Sequence, residues 1–310
     1  MTSQKEKFLD IINKTDFHQI KDHPNILIAA TFWEEDRYNA AIICYKFMRM
    51  IDDLIDNYKT ANQKIAPEER GKLIADVTNW LRMAVDFSNN NPQGKELAEI
   101  IKRFRIPVWP LEAFARSMIY DINNDGIPSL EVFLDYAQGA SVAPASIFVH
   151  LAGLTCLNGE YSEPGFDVRE SATPCAIFSY IVHIIRDFQK DQMNNLNYFP
   201  ESLMAKYGLS RVDLREIANG QPVTSNFRSM IREYLSVADE YRQKTSEMIK
   251  KIRPLMSLRH QISLEVIFEL YMMVFERIDV RNGKFTEEEL NPTPEETKQR
   301  VYKTIDNFIK

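Results

Sequence analysis

The sequence predicts a single all-α domain, and three observations support this fold class. Apolar residues recur at the spacing of an α-helix, and sustained alternation of apolar and polar residues is almost absent. Glycine is scarce, with 10 in 310 residues, although average usage would give about 7%. No repeat or linker divides the chain, so residues 1–310 are assigned to one domain with a large core.

Periodic segments between turn residues predict the individual helices. Three of the predicted helices begin at capping residues. Thr293 and Glu296 have the spacing of a capping box, and Ser129 and Ser210 precede two other helices. A bend is expected at Pro144. The predicted helices span residues 4–14, 25–33, 36–57, 67–88, 94–104, 110–123, 129–157, 167–192, 200–218 (broken), 222–253, 258–280 and 294–309.

Composition excludes several functional classes. A formal charge of −6 argues against a nucleic-acid partner, and no glycine-rich dinucleotide or P-loop motif is present. Cys44, Cys156 and Cys175 are far apart in apolar stretches, which predicts buried thiols in a reducing compartment. The first residues are too polar for a signal peptide, and the apolar stretch 143–157 is too short to span a bilayer. We therefore expect a cytoplasmic protein.

Two apolar helices end in acidic residues, against the usual amphipathic pattern. The segments AAIICYKFMRMIDDLID (40–56) and CAIFSYIVHIIRDFQKD (175–191) are apolar on most of their circumference, which predicts burial. Within each segment two aspartates lie four residues apart and share one helix face. Carboxylates beside a core are costly unless something neutralises them. A solvated helix end is the alternative reading of either motif alone.

Facing pairs of carboxylates across a helix bundle would form an oxygen-rich site suited to Mg²⁺ that bridges phosphate oxygens. An arginine accompanies each acidic motif. Arg49 precedes Asp52 by three residues, and Arg186 adjoins Asp187. Guanidinium matches phosphate geometry, so both arginines are candidates to bind a diphosphate. The alternative is a simple ion pair with the neighbouring aspartates.

These residues resemble the signatures of the squalene/phytoene synthase family, the head-to-head branch of the trans-prenyl diphosphate synthases. The pattern R-x(7)-Y-x-F-x-R-x-x-D-D-x-x-D is matched by Arg37, Tyr45, Phe47, Arg49, Asp52, Asp53 and Asp56. The pattern R-D-x-x-x-D-x(6)-Y-x-P is matched by Arg186, Asp187, Asp191, Tyr198 and Pro200. Met118, Asp121, Tyr136 and Tyr271 resemble further family positions, and the resemblance covers about residues 25–280.

The resemblance implies a helical bundle of the isoprenoid synthase type with a central cavity. It implies a magnesium-dependent prenyltransferase that condenses two allylic diphosphates through a cyclopropylcarbinyl diphosphate to squalene, dehydrosqualene or phytoene. Farnesyl diphosphate is the favoured substrate over geranylgeranyl diphosphate, with NADPH as an optional hydride donor. The implied metal ligands, for three Mg²⁺ ions, are Asp52, Asp56, Asp187, Asp191 and His183. The implied catalytic residues are Tyr45, Arg49, Tyr136 and Arg186, and the same four bind substrate together with Tyr271 and Asp53.

Several positions depart from the family pattern. His183 stands where the family has a metal-binding asparagine, Tyr180 replaces a glutamine, and Leu196 replaces an arginine. The family's A-G-x-V-G run reads SVAPA at 141–145. These departures keep alternatives open: a related terpene cyclase, an enzyme that stops at presqualene diphosphate, or a non-catalytic partner subunit that binds lipid diphosphates. We expect at most peripheral contact with the inner face of a membrane, and the oligomeric state is left open.

Overall fold

The computed structural model describes residues 3–18, 24–62, 64–86 and 92–310 and confirms the all-α class. The helices before residue 154 are α1 (Gln4–Lys14), α2 (Pro24–Ala30), α3 (Glu35–Asn62), α4 (Pro67–Val85), α5 (Pro92–Arg103), α6 (Trp109–Asn123), α7 (Leu130–Ala137) and α8 (Ala143–Gly153). A hairpin of β1 (Thr155–Leu157) and β2 (Glu160–Ser162) follows. The later helices are α9 (Val168–Arg186), α10 (Phe188–Met193), α11 (Glu201–Lys206), α12 (Arg211–Ala218), α13 (Ser225–Ile252), α14 (Leu258–Arg277), α15 (Glu287–Leu290) and α16 (Pro294–Ile309).

The helices pack around two hydrophobic cores. One core lies among α1–α6, α8, α14, α16 and the end of α13, and the other lies among α7, α9–α12 and the first part of α13. Helices α9 and α13 pack along each other more extensively than any other pair in the described residues. Helices that are distant in the sequence also pack together: α1 packs on α16, and α2 packs on α14.

Local sequence signals account for most helix starts. The predicted capping box at Thr293 and Glu296 is formed, and Ser210 forms a second one with Asp213. Ser129 accepts a hydrogen bond from the backbone N–H of Val132. Each cap satisfies amide groups of the first turn that have no partner within the helix. These three predictions are confirmed.

The predicted helix 129–157 is wrong in its second half. A π-helical turn, Gln138–Val142, separates α7 from α8, and α8 already ends at Gly153. Asn158 and Gly159, both with positive φ, form the tight turn of the hairpin β1–β2, which is the turn geometry that Asn-Gly favours. Cys156 is therefore exposed, contrary to the prediction of three buried thiols, whereas Cys44 is buried and Cys175 is half-buried.

The predicted helix 167–192 is divided at Asp187. The backbone of Asp187 leaves helical geometry, with φ −89° and ψ 6°, so that α9 ends at Arg186 and α10 begins at Phe188. Helix α3 instead continues past the predicted residue 57 to Asn62. Residues 87–88, the end of the predicted helix 67–88, lie outside the described residues.

One stretch, Leu130–Gly153, is long and apolar enough by length and composition to cross a membrane. The sequence reading, which considered residues 143–157 alone, did not identify it. In its most apolar window 56% of the residues are buried inside the bundle. A core helix that is apolar on most sides has the same properties, so this feature alone is weak evidence for a membrane span.

The side chain of Arg37 on α3 contacts residues of α8 and α14. Its guanidinium is buried, and Nη1 donates to the carbonyl oxygens of Leu151 at 2.7 Å and Leu154 at 3.2 Å. Its Nε lies 3.6 Å from the carboxylate of Glu34, which also contacts Nε2 of His260 at 3.2 Å. The hydrogen bond with His260 lowers the pKa of Glu34 to about 2. Arg37 thus satisfies carbonyl groups that the end of α8 leaves without helical partners.

We expect Arg37→Met to lower the free energy of unfolding by about 2–4 kcal/mol, because it leaves the buried carbonyl groups of Leu151 and Leu154 without their hydrogen-bond donor. Urea denaturation would measure the change. The matched control is Arg103→Met, which removes an exposed ion pair with Asp36 and should cost under about 1 kcal/mol. Equal losses in the two variants would contradict the role given to Arg37.

Candidate active site

A cavity of about 480 Å³ opens between α3, α6, α8, α9, α13 and α14. Its size is within the range of small-molecule sites. One end is acidic and the rest is apolar. The apolar walls are formed by Ile26, Met48, Phe114, Phe148, Val149, Ile249, Ile252, Leu264 and Ile267. We call the acidic end the mouth; it contains Asp52, Asp53 and Asp56 of α3 together with Asp187 and Asp191.

All the site residues predicted from the sequence line this one cavity. They are Tyr45, Arg49, Asp52, Asp53, Asp56, Tyr136, His183, Arg186, Asp187, Asp191 and Tyr271. The structure therefore brings together two motifs that are more than 130 residues apart. The roles assigned to these residues remain predictions.

The carboxylates of α3 are paired within their own helix. Arg49 donates hydrogen bonds to Asp52 and Asp53, three and four residues later. Burial nevertheless raises the pKa of Asp52, and burial together with Asp52 raises the pKa of Asp56. The ion pair considered as an alternative role for Arg49 is thus present in this structure.

The second motif has a similar arrangement at the junction of α9 and α10. Arg186 donates two hydrogen bonds to Asp187, with Nε at 2.7 Å and Nη2 at 2.8 Å from the two carboxylate oxygens. Burial opposes ionisation of Asp187, but the hydrogen bonds from Arg186 together with the charges of His183, Arg186 and Lys190 lower its pKa. The pKa of Asp191 is raised well above its ordinary value by burial, and further by Asp187 and Asp56.

A tyrosine joins the two motifs directly. Tyr198, seven residues after Asp191, donates its hydroxyl to the Asp56 carboxylate at 3.2 Å. Burial, and then the negative charge of Asp56, raises the pKa of Tyr198 well above its ordinary value. The phenol therefore stays protonated and remains a donor. Because Asp56 and Asp191 also repel each other electrostatically, the two acidic helix ends share one region of low dielectric constant.

Asp121 of α6 forms the centre of a buried polar network beside the mouth. Its carboxylate accepts hydrogen bonds from the Tyr136 hydroxyl at 2.6 Å and from Lys59 Nζ at 3.1 Å. Ser117 holds the backbone of the same segment by donating to the Tyr136 carbonyl at 2.8 Å. Burial, with the charge of Asp121, raises the pKa of Tyr136 well above its ordinary value. Tyr136 is therefore a neutral phenol held in one orientation.

The sequence reading assigned no role to four residues of this region: Lys59, Asp121, Tyr180 and Tyr198. A signal existed for Lys59, which follows Asp52 by seven and Asp56 by three residues and so shares their helix face. Its partner Asp121 lies on another helix, and that pairing has no local signature. Tyr180 stacks on Phe133, with ring centroids 5.6 Å apart.

His183 and Tyr271 lie together in the wall of the cavity. Their ring centroids are 5.9 Å apart at 71°, an edge-to-face contact. Nε2 of His183 is 3.9 Å from a carboxylate oxygen of Asp187, which is beyond hydrogen-bonding distance. The structure therefore places His183 beside the carboxylates, where it packs against an aromatic ring. Leu196, which replaces a family arginine, is buried and lines the cavity.

The π-helical turn Gln138–Val142 brings α6 and this segment into close contact. A Cβ atom on Gly139 would lie 2.2 Å from the carbonyl oxygen of Ala113, so only glycine fits. Ser141 donates its hydroxyl to the carbonyl of Ala176 in α9 at 2.9 Å. Ser141, one of the residues that depart from the family's small-residue run, thus still allows this segment to pack closely on α9.

The chemistry of the mouth fits a hard divalent cation. It offers carboxylate oxygens, the ligands that Mg²⁺ prefers, and their mutual repulsion raises the pKa values of Asp56 and Asp191 beyond the effect of burial. Asp52, Asp53 and Asp187 are held by Arg49 and Arg186. In keeping with this pairing, the described part of the chain has no group of three or more His, Cys, Asp or Glu side chains that converge as a formed metal site.

Comparisons with known proteins agree with the fold and with the family resemblance. A family model described as squalene/phytoene synthase matches residues 21–301. No curated protein sequence matches the chain. Three solved structures share its fold at identities that carry no information about substrate. A dehydrosqualene synthase in complex with ligand is 16% identical over 98% of both chains, with a TM-score of 0.68.

The other two structures are similar at comparable levels. Squalene synthase HpnC from Alicyclobacillus acidocaldarius is 13% identical over 86% of this chain and 91% of that chain, with a TM-score of 0.61. YisP from Bacillus subtilis subsp. subtilis strain 168 is 14% identical over 97% of this chain and 98% of that chain, with a TM-score of 0.60.

We expect Asp56→Asn to stabilise the protein in EDTA by about 1–2 kcal/mol at pH 8, because it removes a buried charge repelled by Asp52. A carboxyl whose pKa is raised on folding costs stability as the pH rises from its ordinary pKa through the raised one. The gain should therefore be smaller at pH 5, where Asp56 is largely protonated. Thermal and urea unfolding would measure it.

The matched control for this measurement is Asp135→Asn, on the exposed face of α7, which should change little at either pH. A loss of stability in Asp56→Asn at pH 8 would show that the carboxylate contributes favourable contacts that outweigh the repulsion.

Proposed function

The chain belongs to the squalene/phytoene synthase family, and from this premise we propose that it joins two farnesyl diphosphate molecules head to head. The first product would be a cyclopropylcarbinyl diphosphate, and the second would be a C30 hydrocarbon of the squalene or dehydrosqualene type. The observation that supports this proposal is the arrangement of the cavity. Acidic residues and arginines from α3 and α9 occupy its mouth, and apolar side chains occupy the remainder.

Arg49 and Arg186 would bind the diphosphate groups. Each guanidinium is half-buried at the mouth and already holds carboxylate oxygens, which have a geometry similar to that of phosphate oxygens. When a diphosphate accepts these hydrogen bonds instead, Asp52, Asp53 and Asp187 are no longer paired with Arg49 and Arg186. Those carboxylates then become available as ligands.

Asp52, Asp56, Asp187 and Asp191 would hold magnesium. When bound there, Mg²⁺ supplies positive charge that stabilises the departing diphosphate. His183 is a weaker candidate ligand, because imidazole is a softer donor than magnesium prefers and the ring packs on Tyr271.

The tyrosines near the mouth would face the allylic cation that ionisation of the first substrate produces. Tyr136 is fixed by Asp121, and Tyr180 lies 6.4 Å from it between ring centroids. Aromatic faces stabilise positive charge without reacting with it. With their pKa values raised, both phenols stay neutral and do not capture the cation as phenolates. Tyr45 and Tyr271, on α3 and α14, would act in the same way.

The apolar walls would exclude water, which otherwise captures the cation as an alcohol. The double bond of the second substrate attacks the cation, and loss of a proton closes the cyclopropane ring. The released diphosphate can accept this proton, so no histidine base is needed. The second half of the reaction would end by proton loss, or by hydride transfer if NADPH binds. We further propose that the protein acts in the cytoplasm, with at most peripheral membrane contact.

A related reaction is the second candidate. Tyr180, where the family has glutamine, adds an aromatic ring beside Asp52 and Asp56, whose charges act on its hydroxyl. An extra aromatic face near the departing diphosphate would favour an early cation. This arrangement suits an enzyme that stops at the cyclopropyl diphosphate, or one that cyclises a single chain.

The test is incubation of the protein and Mg²⁺ with farnesyl or geranylgeranyl diphosphate, with and without NADPH, followed by gas chromatography and mass spectrometry. A C30 product from farnesyl diphosphate is expected. Asp52→Asn and Asp187→Asn should each lower turnover about 100-fold or more, because each removes a proposed ligand of the Mg²⁺ that would stabilise the departing diphosphate. Asp135→Asn is the matched control and should retain full activity.

Other products decide between the alternatives. A C40 hydrocarbon would support head-to-head coupling but contradict the farnesyl preference. A cyclic C15 or C20 product would support a cyclase. No turnover of either substrate, with diphosphate binding intact, would support a non-catalytic partner subunit.

A further inference from the structure

The central cavity approaches the surface at a second place, far from the mouth. Met248 of α13 is half-buried and lines the cavity on one side. It also lines a groove on the outer surface, between the beginning of α9 and the end of α13. One side chain therefore separates the interior of the cavity from this groove.

The groove lies at the opposite end of α9 from the acidic mouth. Pro174 of α9 lines the groove, whereas Asp187 ends the same helix, thirteen residues later. At the rise of an α-helix this separation is about 20 Å. The cavity therefore extends along α9 from charged groups at one end to the Met248 side chain at the other.

The local structure around Met248 permits an opening. Pro174 has no amide hydrogen, so the carbonyl group of Glu170 has no helical partner at this turn of α9. The ion pair between Glu170 and Lys251 crosses the groove at 2.9 Å, with both side chains exposed. Exposed pairs of this kind hold helices together only weakly. Methionine is unbranched and changes rotamer at low cost, so it can move without displacing either helix.

We propose that Met248 closes a second opening of the cavity and that the apolar end of a bound prenyl chain extends past it into the groove between α9 and α13. The identity of the ligand rests on the proposed function, whereas the opening itself does not. A diphosphate held at the mouth directs its hydrocarbon chain along the apolar walls toward Met248. Pro174, Met248 and the ring of Tyr241 give the groove an apolar surface, and Glu170, Lys244, Glu247 and Lys251 also line it.

The same opening gives the hydrocarbon product a way out. After the second diphosphate has left, the product has no group that binds at the mouth. A path through the mouth would bring an apolar chain between buried carboxylates and displace the water and cations that solvate them. A path past Met248 avoids the buried carboxylates of the mouth and follows the apolar walls, Met248 and Pro174.

The opening can be tested without any substrate, by means of a native thiol. Cys175 lines the cavity next to Pro174, and Cys44 on α3 is buried. Burial raises the pKa of both thiols to about 12, so they react slowly unless a reagent reaches them. In a Cys156→Ser background, which removes the exposed thiol, N-ethylmaleimide labelling of each cysteine can be followed by peptide mass spectrometry.

We expect Met248→Ala to raise the labelling rate of Cys175 by about threefold or more, and Met248→Trp to lower it by a similar factor, because access controls the rate. Cys44 should not change in either variant. Met272→Ala, at a half-buried methionine of α14 outside the cavity and the groove, is the matched control and should leave Cys175 unchanged. The proposal is overturned if neither Met248 variant changes the labelling of Cys175. It is also overturned if Cys44 accelerates equally in Met248→Ala while Met248→Trp slows nothing.

A second experiment tests whether the prenyl chain reaches the groove. The ratio of kcat/KM for geranylgeranyl over farnesyl diphosphate should rise about threefold or more in Met248→Ala and fall in Met248→Trp, because the longer chain needs more of the opening. An unchanged ratio in both variants would overturn the proposal that the prenyl chain passes Met248 into the groove. Absence of turnover in the unmodified protein would contradict the proposed function, while the labelling result would still decide whether the opening exists.

Discussion

The concentration of negative charge at the mouth of an apolar cavity is the constraint on which the rest of the structure depends. The four motif carboxylates Asp52, Asp56, Asp187 and Asp191 lie in a region where burial opposes their ionisation. The fold compensates with nearby cations: Arg49 pairs with Asp52 on α3, Lys59 of α3 pairs with Asp121 of α6, and Arg186 pairs with the adjoining Asp187. Tyr198 and Tyr136 add donors across helices. The apolar remainder of α3 and α9 is what allows these helices to be buried so deeply.

Sequence reasoning was most successful where a local pattern decides the structure. The helical period, the capping boxes and the two acidic motifs are short-range signals, and each has its expected place in the fold. The hairpin at residues 155–162 was missed because an apolar stretch of this kind is compatible with either helix or strand. Asn158-Gly159 was the local evidence against a helix. The break at Asp187 has no comparable signal, because tertiary contacts decide where α9 ends.

Other features depend on partners that are distant in the sequence. The pairing of Lys59 with Asp121 joins two helices, and the contact of Arg37 with the end of α8 spans more than 110 residues. The depth of the cavity depends on side chains from six helices, which is why substrate length could not be read from the motifs. His183 illustrates the same point: its ring packs against Tyr271, a neighbour that is 88 residues further along the chain.

The packing of α1 on α16 and of α2 on α14 has a consequence for the synthesis of the chain. A ribosome produces a chain from its amino end, so α1 and α2 exist before α14 and α16 have been made. Phe8 and Ile12 of α1 are almost fully enclosed in the finished protein, and α16 forms much of that enclosure. Contacts so distant in sequence form slowly and leave apolar surface uncovered in the meantime. Until α14 and α16 have been made, α1 and α2 must therefore remain soluble without neighbours that bury much of their apolar surface.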